Sequence, residues 1–375
     1  MSREELLRLA AGSGLPVLDL SLGVPADPPP ADPLPADPAP PAQSARPARP
    51  APAAYPASAG SEALRTAAAG YLHRRFGVRV PVEAVAACVG TKEFISTLPL
   101  FLREIRGDDA RDTVLIPALC YPTYEYGARL AGLRVHRVPV DGRLRMRLDL
   151  LPAAVVGRAL CLWVNSPANP TGTVEPLDRI AAWGRARGVP VLSDEAYAEA
   201  TWAHPPRTVL AGGLSGVLAV HSLSKRSHAP GLRVGFYAGD PHLVAELVPR
   251  RRAAGLMAGS ASQARAAALL DDDAHALAQR ERNARRVAGL VAELDRAGLP
   301  CRPPGGGLFA WVAAPDGRGT AFARRLAAEA GLVVMPGAEY GPGGGGHVRI
   351  AAVHDPAAVA ARLALLRHPA LVPTP

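Results

Sequence analysis

Short, nearly continuous apolar runs (TVLIPA, ALCLWVN, VPVLSD, GVLAVHSL) alternate through the middle of the chain with longer stretches whose apolar residues recur at helical spacing (YEYGARLAG, LDRIAAWGRARG). Continuous apolar strands interleaved with amphipathic helices predict an α/β fold with a mostly parallel sheet covered on both faces. Upstream, SEALRTAAAGYLHRRFG has the spacing of a surface helix with Ser61 as its N-cap. From about Asp240 onward, long helical stretches precede the strand-like GLFAWVAAP and HVRIAAV, which predicts a smaller α+β lobe. Between Ala26 and Ala54 the chain is a run of Pro, Ala and Asp that supports neither a regular helix nor a sheet ladder. The expected division is an N-terminal arm over 1–54, a large lobe over 55–240 and a small lobe over 241–375, with the arm packing against the small lobe.

Composition agrees with two globular lobes: 375 residues, 49% hydrophobic and only 20% charged, are far from the balance that keeps chains disordered. The formal charge of +9 is spread over scattered arginines without a basic stripe interleaved with aromatics, so no nucleic-acid partner is expected. Cys88, Cys120, Cys161 and Cys301 form no CxxC pair and read as buried or free thiols, with no metal site. The opening MSREELLRLA is acidic where a secretory signal is basic, and no apolar run reaches spanning length; a cytoplasmic protein without a membrane segment is expected.

In sheets of this kind ligands sit beyond the carboxyl ends of the strands. Polar or reactive residues recur there: Gly90-Thr91 after AVAACV, Tyr121-Pro122 after VLIPALC, Asn165 to Gly172 after ALCLWV, Asp194 after VPVLS and Lys225 after VLAVHSLS. A desolvated lysine on a turn has its pKa lowered toward the range of a nucleophile, with the hydroxyls of Ser222 and Ser224 nearby and Arg233 offering a fork suited to phosphate. A solitary SxSK is equally a surface loop. Asp194 is placed to keep a pyridine nitrogen protonated, though alone it is equally an acid favoured at a helix start. NSPANPTG forces a rigid turn and could present the Asn169 amide, and GTKE opens a helix whose N-terminus (Gly90, Thr91, Lys92) is a ready anion site.

In that order the four segments resemble the class I/II aminotransferases, fold type I of the pyridoxal phosphate enzymes, from about LDLSLGVPADP through HVRIAAV. The resemblance implies that Lys225 binds pyridoxal phosphate as a Schiff base and moves the proton, and that Asp194 pairs with the pyridine nitrogen. It further implies that Asn169 and Tyr197 bond the ring oxygen, Tyr121 stacks on the ring, and Thr91, Lys92, Ser222 and Arg233 hold the phosphate. Tyr55, in AYPASAG, matches a tyrosine that reaches the phosphate of a neighbouring subunit, which implies a homodimer with shared sites. Arg349 in HVRIAAV matches the arginine that grips the substrate carboxylate, and Gly23 in SLGVP a backbone position close to it.

GTKEFISTLPLFL, YPTYEYGARLAG, LWVNSPANPTG, VHSLSKRS and LVPRRRAAGLMAGSASQARAAALLDDD are moreover similar to actinobacterial N-succinyldiaminopimelate aminotransferases. This implies small-molecule amino acid and 2-oxo acid substrates, with transfer between glutamate and a dicarboxylic amino acid such as N-succinyl-LL-2,6-diaminopimelate on the route to lysine. The alternative is an enzyme of specialised metabolism that uses the same cofactor for elimination, replacement or C–C bond formation at the β or γ carbon. His228, beside the lysine turn, is its candidate second acid/base.

Overall fold

The computed structural model describes residues 1–24, 27, 54–107 and 109–366; apart from Asp27 and Ala54, the Pro-rich segment lies outside them. The first elements are α1 (Arg3–Ala11), β1 (Leu18–Asp19), α2 (Glu62–Phe76), β2 (Val85–Cys88), α3 (Thr91–Arg106), β3 (Thr113–Pro117), α4 (Thr123–Leu130) and β4 (Arg134–Val138). There follow α5 (Ala153–Gly157), β5 (Ala159–Asn165), α6 (Leu177–Arg187), β6 (Val191–Asp194), β7 (Val217–Ser222), α7 (Leu223–Arg226), β8 (Gly235–Gly239), α8 (Pro241–Ala253) and α9 (Ser260–Asp271). The last are α10 (Asp273–Arg296), β9 (Phe309–Ala313), α11 (Gly319–Ala330), β10 (Leu332–Val333), β11 (Met335–Pro336), β12 (His347–Ala351) and α12 (Pro356–Leu363).

The large sheet has seven strands in the order β2-β8-β7-β6-β5-β3-β4. All run parallel except β8, which is antiparallel to both its neighbours. Alternate residues of the inner strands enter two cores. Leu115, Leu162, Val164 and Val191 pack with α2, α6 and α9 on one face; Val114, Ile116, Trp163 and Leu192 pack with α3, α4 and α8 on the other. Burial on both faces is why these strands read as unbroken apolar runs.

The smaller lobe joins the antiparallel order β11-β12-β9 to α10, α11 and α12, and its core includes Leu6 and Ala10 of α1. β1 pairs in parallel with β10, Leu18 opposite Leu332. The start of the chain is therefore built into this lobe, and α1 is fixed at its own beginning by a capping box in which Glu5 N–H donates to Ser2 Oγ and Ser2 N–H to Glu5 Oε2.

One boundary differs from expectation. Val244 and Leu247 of α8 and Ala266, Leu269 and Leu270 of α9 lie in the large-sheet cores, so we set the division between lobes near Asp272 instead of 240. An amphipathic face announces burial but not which sheet it meets. α2 is capped as expected, Ser61 Oγ accepting from Leu64 N–H at 3.2 Å, and it is amphipathic: Leu64, Ala67, Ala68, Tyr71 and Leu72 are buried while Glu62, Thr66, His73 and Arg74 are exposed. Cys88, Cys120 and Cys161 are buried and Cys301 half-buried, all as free thiols. Among the described residues no helix is long and apolar enough to cross a membrane, and no cluster of three metal-ligating side chains occurs.

Leu72 is completely buried, so Leu72→Ala is expected to cost about 2–5 kcal/mol through lost transfer energy and the cavity left behind. Exposed Leu277 on α10 can be cut to Ala within about 0.5 kcal/mol. Urea unfolding of the two variants checks the contrast, and equal midpoints would contradict the core assignment.

Candidate active site

The carboxyl ends of β5, β6 and β7 open into a cavity of about 410 Å³. Its wall combines strand-end residues of the large lobe with Arg3, Met335, Glu339, Tyr340 and Arg349 of the small one. Lys225, Asp194, Tyr197, Tyr121, Asn169, Thr91, Lys92, Ser222, Arg233 and Gly23 all line it.

Asp194 ends β6 with its carboxylate buried. Tyr124 Oη donates to its Oδ2 at 2.7 Å and Ala196 N–H to its Oδ1 at 3.1 Å. Burial pushes the Asp194 carboxyl up, and these hydrogen bonds work in the opposite direction. Tyr124 is held in turn by stacking on Trp163, 5.1 Å between ring centroids. The Asn165 amide donates to the Asp194 carbonyl at 2.8 Å while its Oδ1 accepts from Asn169 N–H at 2.7 Å, which ties the β5 turn to the β6 end.

Lys225 sits in the short helix α7, whose N-cap Ser222 accepts from Ser224 N–H at 3.1 Å. Its Nζ donates to the Gly23 carbonyl at 2.5 Å and lies 5.8 Å from the Tyr197 ring centroid. Burial, reinforced by the Arg349 charge and opposed by Asp194, brings the amine down to about 8. The adjoining Arg226 anchors the turn from behind: its guanidinium donates to the Leu269 carbonyl and to Asp273 and covers the Tyr71 ring at 4.9 Å. Gly23 has no room for a side chain, since a Cβ would fall 2.7 Å from the Phe309 ring.

At the other end, α3 starts after the N-cap Gly90 (φ 82°) with no side-chain cap, which leaves first-turn N–H groups without a side-chain acceptor, and its first residues Thr91 and Lys92 line the cavity. Arg233, itself left-handed at φ 51°, lies so close to Gly90 that a Cβ there would meet Nη2 at 2.5 Å. Lys92, Ser222 and Ser224 complete a polar, cationic rim. Such a helix terminus is an anion site.

Arg349 is buried on β12 with its guanidinium 4.1 Å from the Phe309 ring centroid and 5.1 Å from that of Tyr340. Nη1 donates to Asn169 Oδ1 at 2.8 Å and Nη2 to the Ser21 carbonyl, while Nε is buried without a partner among the described residues. Because Asn169 Oδ1 accepts from Arg349, the Asn169 Nδ2 group is the end left to donate elsewhere.

Gly90, Tyr55 and His228 are sequence candidates that do not line this cavity, though Gly90 sits at its edge before Thr91. Tyr55 is 92% exposed. His228 is buried at φ 50° with neither ring nitrogen hydrogen-bonded among the described residues. Its Nδ1 lies 3.9 Å from Asp27, and burial pushes the imidazole down to about 4 despite that carboxylate. His228 does not line the cavity, and burial favours its neutral form. Sequence reasoning missed Tyr124, Arg3, Glu339 and Tyr340. Tyr124 lies on the first turn after Tyr121, where helical spacing was the available signal; the rest are delivered by the small lobe and had none.

An open, mostly parallel sheet with a lysine, a buried acid and an uncapped helix at its carboxyl edge, closed by a small α+β lobe, is the fold type I arrangement of pyridoxal phosphate enzymes. The residues fit that cofactor: a buried carboxylate for its ring, a helix N-terminus for its phosphate and an amine for its aldehyde. The chain belongs to the aminotransferases of class I and II, whose sequence pattern matches residues 16–364, and its cofactor is pyridoxal phosphate. It is 41% identical over 93% of its length to "Probable aminotransferase Rv1178" of Mycobacterium tuberculosis, covering 80% of that protein. It is 42% identical to 4-dedimethylamino-4-oxo-anhydrotetracycline transaminase OxyQ of Streptomyces rimosus, over 83% of this chain and 85% of that one. Among solved structures it superposes on a "probable N-succinyldiaminopimelate aminotransferase" of Thermus thermophilus with TM-score 0.82 at 26% identity, covering 96% and 97% of the two chains. BacF of Bacillus subtilis superposes with TM-score 0.85 at 22% identity, over 98% and 95%.

The Lys225 environment predicts a pH profile. Below about 8 the amine is protonated and inert; above it the free base attacks an aldehyde. Aldehyde labelling of the cofactor-free protein is therefore expected to rise through pH 8, well below the ordinary 10.5. Arg349→Gln moves that midpoint up and Asp194→Asn moves it down; shifts of the opposite sign would refute the stated causes.

Proposed function

We propose that this aminotransferase moves an amino group between glutamate and a dicarboxylic amino acid of the N-succinyl-LL-2,6-diaminopimelate type, a step on the route to lysine. The observation that carries the reading is the buried, unpartnered Arg349 Nε beside the Lys225 amine in one cationic cavity: it suits a substrate α-carboxylate held next to the reacting carbon. Arg3, whose Nε donates to Ser21 Oγ at 2.9 Å and whose Nη2 pairs with Asp19, lies further along the wall, where a distal carboxylate would lie.

In this reading Thr91, Lys92, Ser222 and Arg233 hold the phosphate and Tyr121 lies on the ring face. Asn169 Nδ2 and the Tyr197 hydroxyl donate to the ring oxygen, and Asp194 holds the pyridine nitrogen protonated. Pyridoxal phosphate supplies there an electron-withdrawing ring that stabilises negative charge at the substrate α-carbon. The Lys225 Nζ would take up and give back the proton that moves in the amino transfer, a task suited to an amine titrating near working pH. Gly23 keeps the backbone close enough to cover the substrate. Tyr55 extends from the chain to the phosphate of a second subunit in a homodimer; its exposure supports this.

A second reading keeps transamination but moves it to specialised metabolism, favoured by the 42% identity to the tetracycline-pathway transaminase. Mixing the purified protein with glutamate should convert the cofactor spectrum from the pyridoxal to the pyridoxamine form. Failure with glutamate and with every dicarboxylic amino acid, but success with another amine donor, would reject the first reading. Arg349→Lys, which loses the planar fork, is expected to raise KM for the amino acid about a hundredfold while leaving cofactor absorbance in place; steady-state kinetics check it.

A further inference from the structure

The phosphate cradle holds an electrostatic contradiction. Glu93 is the third residue of α3, so its carboxylate sits within one turn of N–H groups that must face a phosphate dianion. Its oxygens fold back onto the helix: Oε2 accepts from Val89 N–H at 3.2 Å and Oε1 from Thr97 Oγ1 at 2.9 Å. Left alone, that negative charge would weaken the anion site it frames.

Arg251 of α8 resolves this from outside the cavity. It is 1% exposed, and its fork meets Glu93 bidentately, Nη1 to Oε1 at 3.0 Å and Nη2 to Oε2 at 2.8 Å. Phe94 and Tyr237 flank the guanidinium with ring centroids at 5.1 and 5.8 Å and stack on each other at 4.3 Å. The slot keeps the cation fixed and dry, where a charge pair is strongest. Among the described residues, Arg251 does not line the cavity; it meets the start of α3 through Glu93.

We propose that Arg251 is a positioning residue for the cofactor phosphate: it neutralises Glu93 and, through it, locks the Val89-Gly90 turn so that the start of α3 presents its N–H groups to an anion. The inference rests on the assignment of the phosphate to the α3 terminus. It predicts an effect on phosphate recognition specifically, beyond any general loosening.

The test uses the full-length protein stripped of cofactor and titrated with pyridoxal phosphate, with pyridoxal, and with inorganic phosphate as competitor. Arg251→Met should weaken pyridoxal phosphate binding and phosphate competition about tenfold or more, with pyridoxal changed less than about twofold. Glu93→Gln removes the repelling charge but keeps only one of the two acceptor oxygens that bond Val89 N–H and Thr97 Oγ1, so its loss of pyridoxal phosphate binding should be smaller than that of Arg251→Met. The double variant, neutral at both positions, should recover the preference for pyridoxal phosphate over pyridoxal to within about threefold of the parent. If Arg251→Met does not fold, the double variant decides by the same ratio. Equal losses for pyridoxal and its phosphate, no effect of Arg251→Met, or no recovery in the double variant overturns the proposal. A parent that binds both compounds equally removes the cradle itself.

Discussion

The hydrogen bond from Tyr124 to Asp194 answers the hardest physical demand the site makes. A carboxylate at the end of a strand buried on both faces loses its water, and an ion left unpaired there costs several kcal/mol. Tyr124 and the Ala196 N–H offset part of that cost, and the stack on Trp163 keeps the phenol from turning away. Because Asp194 is fixed, the neighbouring strand ends can be fixed to it: Asn165 bonds its carbonyl, and Asn169 bonds Asn165. The lysine just past the next strand then faces an acid of known position. The rest of the cavity is arranged around that anchored charge.

Arg349 performs the complementary task between lobes. Its hydrogen bonds reach Asn169 on the large sheet and Ser21 near the chain start, so three distant stretches meet at one guanidinium. The aromatic rings beside it remove water without competing for its donors. The same cation lowers the Lys225 amine, and the group that would hold a substrate thereby also readies the group that would act on it.

Much of this was legible because parallel sheets write themselves plainly. Unbroken apolar runs marked the strands, and the polar residue following each run marked the carboxyl edge, which is why Lys225, Asp194, Asn169 and Thr91 could be picked out. What could not be read depends on contacts between segments far apart in sequence. Nothing local says that α8 and α9 cover the large sheet, that Tyr124 serves Asp194, or that Glu339 and Arg3 reach the cavity from the smaller lobe. His228 was singled out for its neighbourhood in sequence; its left-handed backbone turns it into a dry site beside Asp27 instead.

The sulfur chemistry of the fold has a practical side. Desolvation pushes the thiols of Cys88, Cys120 and Cys161 up to about 12, so at neutral pH they carry almost no thiolate, the form that oxidants and alkylating reagents attack. Cys301, half-buried ahead of β9, is the least buried of the four, although burial pushes its thiol up as well. The molecule is in effect born with a single attachment point, on the smaller lobe, where a dye or spin probe could follow that lobe without engineering the other three cysteines away.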